Sequence, residues 1–197
     1  MEFLMKMEAG KDTVLMDLMC GMGETWGQSR SRFNPGRFYA LDFSLGMLAK
    51  AKRRLAKWDD IEVIQEDILQ NSLPDAHFDV ISCAFGLKTF NSEQLKILAA
   101  EIRRILKPGG QFSFIEVSVP PNRLLRSLYL LYLKRFIPIL GWLFLGNPAE
   151  YKMLGVYTEA FGNSREAYAI FRDAGLEVEY AEYFYGCATG IFGKRKV

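Results

Sequence analysis

Between Thr13 and Val117 the chain repeats one pattern: a short apolar run, a turn, and then in most cases a stretch with helical spacing. Nothing else in the sequence restricts the fold as strongly. Strands separated by helices must lie parallel, and parallel strands need helices on both faces. Thr13 to Met19 reads as a buried strand ending in the turn Cys20-Gly21-Met22-Gly23, with a helix from about Glu24. Arg37 to Asp42 is a second strand, and Ser44 caps a helix to about Trp58 with Leu48, Ala51 and Leu55 inward. Ile61 to Gln65 and Phe78 to Phe85 are the third and fourth strands. Asn91 opens a long helix carrying Leu95, Leu98, Ile102 and Leu106, which Lys107-Pro108-Gly109-Gly110 stops before a fifth strand, Gln111 to Val117. Asn163 and Glu166 read as a capping box for a helix to about Ala174, and Glu177 to Phe184 with Ala188 to Lys194 as a closing hairpin. The expected fold is α/β: a doubly wound, mostly parallel seven-stranded sheet with a C-terminal antiparallel hairpin. No linker divides the 197 residues, so one domain is expected.

One stretch breaks the pattern. Val117 to Ala149 has no acidic residue and four basic ones, Arg123, Arg126, Lys134 and Arg135. Within Arg123 to Leu145, 16 of 23 residues are apolar or aromatic, yet Lys134, Arg135, Pro138 and Gly141 interrupt the run before it could span a bilayer. Residues 118–160 are therefore expected to form a helical lid after the fifth strand, with 123–145 as a peripheral membrane contact. The net charge of +2 divides unevenly: outside Val117 to Ala149 there are 21 basic and 23 acidic residues. A nucleic-acid partner is not expected from this balance. Cys20, Cys83 and Cys187 have neither disulfide parity nor metal spacing, and Met1 to Gly10 lacks the apolar run of a signal peptide. These point to a cytoplasmic protein without a metal. The single histidine, His77, disfavours a Ser-His-Asp triad.

In open α/β sheets ligands bind beyond the carboxyl ends of the strands, where strand order reverses. Asp17 and the turn Cys20-Gly21-Met22-Gly23 fall there. Small residues let a ligand approach, and the next helix offers free N–H groups. Asp42 ends the second strand, where a carboxylate can accept both hydroxyls of a ribose, and Asp67 ends the third, where one suits an adenine amino group. Each is also an ordinary strand-end residue; together they point to an adenosine-type ligand. A dinucleotide turn wants a third glycine where this chain has Trp26, which disfavours NAD.

The segments Asp17-Leu-Met-Cys-Gly-Met-Gly23, Leu41-Asp42-Phe43-Ser44-Leu-Gly-Met47-Leu, Phe78-Asp79-Val80, Ala84-Phe85-Gly86-Leu87 and Leu106-Lys-Pro-Gly-Gly110 resemble the class I methyltransferases. Ala84-Phe85-Gly86, Glu116-Val-Ser118-x-Pro120 with the Leu124-Leu125 helix, and Glu150-Tyr151 narrow the likeness to the ubiquinone/menaquinone biosynthesis C-methyltransferase family. The resemblance implies S-adenosyl-L-methionine (SAM) as cofactor and S-adenosyl-L-homocysteine as product. It places Gly21, Met22 and Gly23 at the cofactor turn, with Asp42 at the ribose and Phe43 beside it. Asp67 and Ile68 fall at the adenine and Ala84 at the methionine moiety. It also implies methyl transfer to a carbon of a prenylated quinol, demethylmenaquinol or a ubiquinol precursor.

The chain departs from that family where the acceptor is activated. A ring carbon becomes nucleophilic when the adjacent phenol ionises, which needs a base or a cation near the oxygen. The family commonly has Phe-Gly-x-Arg-Asn; this chain has Phe85-Gly86-Leu87-Lys88-Thr89. Lys88 is thus the candidate catalytic residue, holding a phenolate by charge or acting as base, although it cannot reproduce a planar bidentate contact. His77 lies at the wrong edge, and Cys20 reads as packing rather than as a nucleophile. Only about a dozen residues precede Thr13, where the family has several helices: either the sequence is short at this end, or the site is more open and the 117–149 segment does most of the covering. Two other readings stay open: a methyltransferase for another small amphiphilic or phenolic acceptor, and a SAM-binding protein without turnover.

Overall fold

A computed structural model describes residues 10–55, 60–137 and 148–197. In it Val14–Leu18 (β1), Arg37–Leu41 (β2), Ile61–Ile64 (β3), Phe78–Ala84 (β4), Leu106–Val117 (β5), Leu176–Tyr183 (β6) and Ala188–Arg195 (β7) form one sheet of order β3-β2-β1-β4-β5-β7-β6. The first five strands run parallel, and β7 pairs antiparallel with both β5 and β6. This is the expected seven-stranded, mostly parallel fold. The chain winds outward from β1 to β3, then returns to place β4 on the other side of β1. Strand order therefore reverses at the β1–β4 seam.

Helices cover both faces because the central strands are apolar on both. Met16, Ile81, Phe112 and Phe114 face one layer, where Ser92–Ile105 (α3) brings Leu95, Leu98 and Ile102, and Arg165–Asp173 (α6) brings Ala167 and Phe171. Leu15, Phe38, Ala40, Val80 and Ile115 face the other, against Trp26 and Phe33 of Trp26–Phe33 (α1) and Leu48 and Ala51 of Leu45–Leu55 (α2). Neighbouring residues thus belong to opposite cores, as the pleat requires. Trp26 is fully buried, and its ring lies where a Cβ on Gly23 would come within 2.6 Å. The indole fills the space a third glycine would have left open.

Helix starts show where local pattern held and where packing overrode it. Asn91 makes the full capping box: its side chain accepts from the Gln94 N–H at 2.9 Å, and Gln94 Oε1 accepts from the Asn91 N–H at 3.0 Å. The box expected from Asn163 and Glu166 does not form. Ser164 is the N-cap of α6, Asn163 accepts from the Arg165 N–H, and Glu166 instead accepts from Ser92 Oγ on α3. The Ser164 hydroxyl is committed to a buried cluster, 2.9 Å from Thr189 Oγ1, which is itself 2.6 Å from Ser118 Oγ. That cluster ties the end of β5, the start of α6 and β7 together. The helix stop and turn expected at Lys107–Gly110 lie inside β5: α3 ends at Ile105, the strand already starts at Leu106, and the turn appears as a register shift, Phe78 pairing with Leu106 and then Val80 with Gln111. The proposed extension of α2 to Trp58 lies outside the described residues.

After β5 come Arg123–Leu131 (α4), a π-helical turn at Tyr132–Phe136, and Pro148–Phe161 (α5). Asn122 caps α4 by accepting from the N–H groups of Leu124 and Leu125. Leu133 is buried and Leu125 and Tyr129 are half-buried, whereas Leu124, Leu128 and Leu131 are exposed, Leu124 by 73%. Residues 138–147 of the expected lid lie outside the described residues.

Candidate functional site

At the carboxyl edge beside the β1–β4 seam lies a cavity of about 460 Å³, within the size range of small-ligand sites. Gly21, Asp42, Phe43, Asp67 and Ile68, all chosen from sequence, line it together with Met19, Met47, Leu69 and Phe90. Asp42 is 7% exposed, and its position is set by the backbone: Oδ2 accepts from the Gly21 N–H at 2.9 Å and Oδ1 from the Ser44 N–H at 2.8 Å. Each carboxylate oxygen can accept more than one bond, so both keep capacity for a ligand hydroxyl. Asp67 accepts the Leu69 N–H on Oδ1 at 2.9 Å. Glu66, on the same wall, is held below the usual carboxylate range by hydrogen bonds from the Ser72 hydroxyl and N–H.

The other expected residues take different places. Asp17 is 1% exposed and does not line the cavity; its oxygens accept from Thr25 Oγ1 at 2.8 Å and Ser82 Oγ at 3.0 Å. Burial pushes its carboxyl up to about 6 against that hydrogen bonding. It braces the glycine turn from behind, joining β1, β4 and the approach to α1. Met22 and Gly23 belong to that turn, and Ala84 packs against the second core cluster; none of the three lines the cavity. Burial, with the charges of Asp17 and Asp42, pushes the Cys20 thiol far up, as a packing role requires. His77 sits before β4 with its ring edge-on to Tyr39 and Phe78, at the opposite edge.

Lys88 departs most from expectation. Its side chain is only 9% exposed, and Nζ donates to Glu116 Oε1 at 2.9 Å and to the Phe85 carbonyl at 2.6 Å. It lies behind the cavity wall, whose Phe85, Gly86 and Thr89 come from the turn it closes. Its ammonium is held by a carboxylate and a carbonyl and does not line the cavity.

The sequence profile of the ubiE/COQ5 methyltransferase family matches residues 1–195. The chain belongs to the ubiE/COQ5 methyltransferase family. A demethylmenaquinone methyltransferase of Bacillus licheniformis is 31% identical over 192 residues, covering 96% of this chain and 82% of that one. Another, of Staphylococcus aureus strain JH9, is 31% identical over 188 residues, 94% of this chain and 77% of the relative. The crystal structure of a SAM-dependent methyltransferase from Aquifex aeolicus superposes with a TM-score of 0.65 at 21% identity, covering 98% of this chain and 87% of that chain. That likeness is one of fold. In this ubiE/COQ5 methyltransferase, cavity residues that the sequence pattern did not single out include Met19, Met47, Leu69, Phe85, Phe90 and Gln94, and it did not point to Glu116 as the partner of Lys88. Phe85 could have been found from the glycine that follows it. The Glu116 pairing joins β5 to the turn after β4, 28 residues away in the chain, and leaves no local trace.

Proposed function

We propose that this chain transfers a methyl group from SAM to a ring carbon of a prenylated quinol, with demethylmenaquinol as the favoured acceptor. The observation that carries the reading is Asp42, fixed by two backbone N–H groups at the wall of the switch-point cavity. The cavity residues fit the cofactor chemically. Asp42 would accept the ribose hydroxyls, Asp67 would take the adenine amino group, and Phe43, Ile68 and Leu69 supply an apolar lining. Gly21 leaves room beside them. Bound SAM supplies a methyl group on a positively charged sulfur, which departs as a thioether. The chain's own part is to hold the acceptor in line and to exclude water, with Met19, Phe85 and Phe90 forming the apolar wall of the cavity. The relatives named for demethylmenaquinone support the acceptor class. Sequestration of Lys88 behind the wall favours a second reading, another amphiphilic or phenolic acceptor that arrives already nucleophilic.

Such an acceptor lives in lipid, and the reading extends to a peripheral contact through 123–145. No helix of the described residues is long and apolar enough to cross a membrane. The exposed Leu124, Leu128 and Leu131 of α4, alongside Arg123, Arg126 and Arg135, suit an anionic bilayer surface.

Calorimetry with SAM and methyl-labelled turnover on a substrate panel test the proposal together. SAM binds the wild type, Asp42→Ala weakens that binding by about tenfold or more through loss of hydrogen bonds to a charged group, and label enters the quinol. Label in another acceptor but not in the quinol would refute the acceptor assignment. Unchanged affinity in Asp42→Ala would remove Asp42 from the site.

A further inference from the structure

The Glu116 carboxylate, near the end of β5, has no solvent exposure, yet it accepts three hydrogen bonds. Oε1 takes Lys88 Nζ at 2.9 Å and the Val117 N–H at 2.7 Å, and Oε2 takes the Lys88 N–H at 3.1 Å. The same Lys88 Nζ donates to the Phe85 carbonyl at 2.6 Å, and the Phe85 N–H donates to the Ile115 carbonyl at 2.8 Å. Phe85 therefore stands between two anchors on β5, one direct and one through Lys88. It needs them, because its φ of +68° lies in the left-handed region that a bulky side chain disfavours. Gly86 permits the turn to sit tight: a Cβ there would come within 2.6 Å of Met19 Sδ and 2.9 Å of Cys83 Sγ. Phe85, Gly86, Thr89 and Phe90 are cavity wall, and α5 packs on the Leu87–Thr89 turn from outside.

We propose that Glu116 is a positioning residue for methyl transfer, acting through Lys88 to hold the left-handed Phe85 backbone at the cavity wall. The proposal rests on the methyltransferase reading above and replaces a direct role of Lys88 on the acceptor. A buried carboxylate facing a buried ammonium forms a unit, and removing either partner strands the other charge. Both single losses should therefore shift the same wall by the same means. Misplacement of a reacting group by about 1 Å costs on the order of 100-fold in rate.

The test uses the full chain with Lys88→Met, Lys88→Arg, Glu116→Gln and the double variant Lys88→Met/Glu116→Gln. Three readouts are taken: SAM affinity by calorimetry, kcat and KM with labelled SAM and demethylmenaquinol, and the pH profile of kcat. Lys88→Met and Glu116→Gln are expected to weaken SAM binding about tenfold and lower kcat on the order of 100-fold. The double variant should be no worse than the worse single, as for residues that act as one unit. Lys88→Arg should recover most of both, and the pH profile of Lys88→Met should keep its shape. Loss of one limb of that profile in Lys88→Met, with SAM affinity intact and Glu116→Gln near wild type, would show Lys88 acting on the acceptor itself. Multiplicative losses in the double variant, or singles with wild-type affinity and rate, would equally overturn the proposal. Should Glu116→Gln fail to fold, the two Lys88 variants decide. Calorimetry needs no acceptor, so a quinol that is never methylated sinks the substrate reading while the SAM arm still decides this one.

Discussion

Asp17 shows how a residue can belong to a site without touching its ligand. Its type and position were readable, since a carboxylate at the end of the first strand faces the ligand edge. What it bonds to was not, because Thr25 and Ser82 arrive from other elements. Its burial has a thermodynamic consequence. The folded carboxyl titrates at about 6 against an ordinary 3.8, so the native state binds the proton more tightly than the unfolded chain. That contribution to stability is fully present below pH 3.8 and is lost as pH rises through about 6, amounting to about 3 kcal/mol. Glu116, also pushed up by burial, acts in the same direction, so the effect must be isolated by difference. The melting temperature of the wild type minus that of Asp17→Asn should therefore fall between pH 4 and pH 7. A difference that stays flat across that interval would show that Asp17 does not titrate there.

At the scale of elements, aromatic packing decides how α6 is held. Phe171 is fully buried, with its ring centroid 5.6 Å from that of Phe112 and 5.7 Å from that of Phe114 on β5. Removing a buried phenylalanine loses its transfer free energy and leaves a cavity, together about 3–5 kcal/mol. Phe171→Ala should lower the free energy of urea unfolding by that amount while SAM affinity of the folded fraction stays at the wild-type value. A loss below 1 kcal/mol would mean that the layer closes over the gap. The spacing of α6 announced which residues face inward. Its N-terminus followed a different rule, because Ser164 and Glu166 found partners in Thr189 and Ser92. Capping patterns describe an isolated helix; here the sheet and α3 offered the same groups closer bonds.

At the scale of the molecule, two exposed apolar features lie toward the carboxyl edge. One is α4 with Leu124, Leu128 and Leu131; the other is the β6–β7 turn, where Phe184 and Tyr185 are 77% and 90% exposed. They adjoin, since Tyr129 of α4 donates to the Cys187 carbonyl and Pro121 would meet a Cβ on Gly186. If this surface meets lipid, the wild type should sediment with anionic vesicles, and binding should weaken as salt rises. Each basic residue near an anionic surface contributes about 1 kcal/mol. Leu124→Ser with Leu128→Ser should release the protein from vesicles and leave SAM affinity unchanged. Equal sedimentation with neutral vesicles, or retention by the double variant, would rule out the charge-assisted contact.

Readable from residues alone are the alternation of strands and helices, the carboxyl edge as the place of the ligand, and the carboxylates and glycine turn gathered there. Those follow from short-range periodicity and from the rule that parallel strands deliver their ends to one side. What each polar group is occupied with depends on contacts between segments far apart in the chain. Asp42 and Asp67 meet the cavity, Asp17 turns behind it, and Lys88 is taken by Glu116, 28 residues further along the chain. The physical reason is that a buried charge must find a partner, and the partner is chosen by which strands lie side by side. Here β5 lies against β4, so the lysine that follows β4 meets Glu116 near the end of β5.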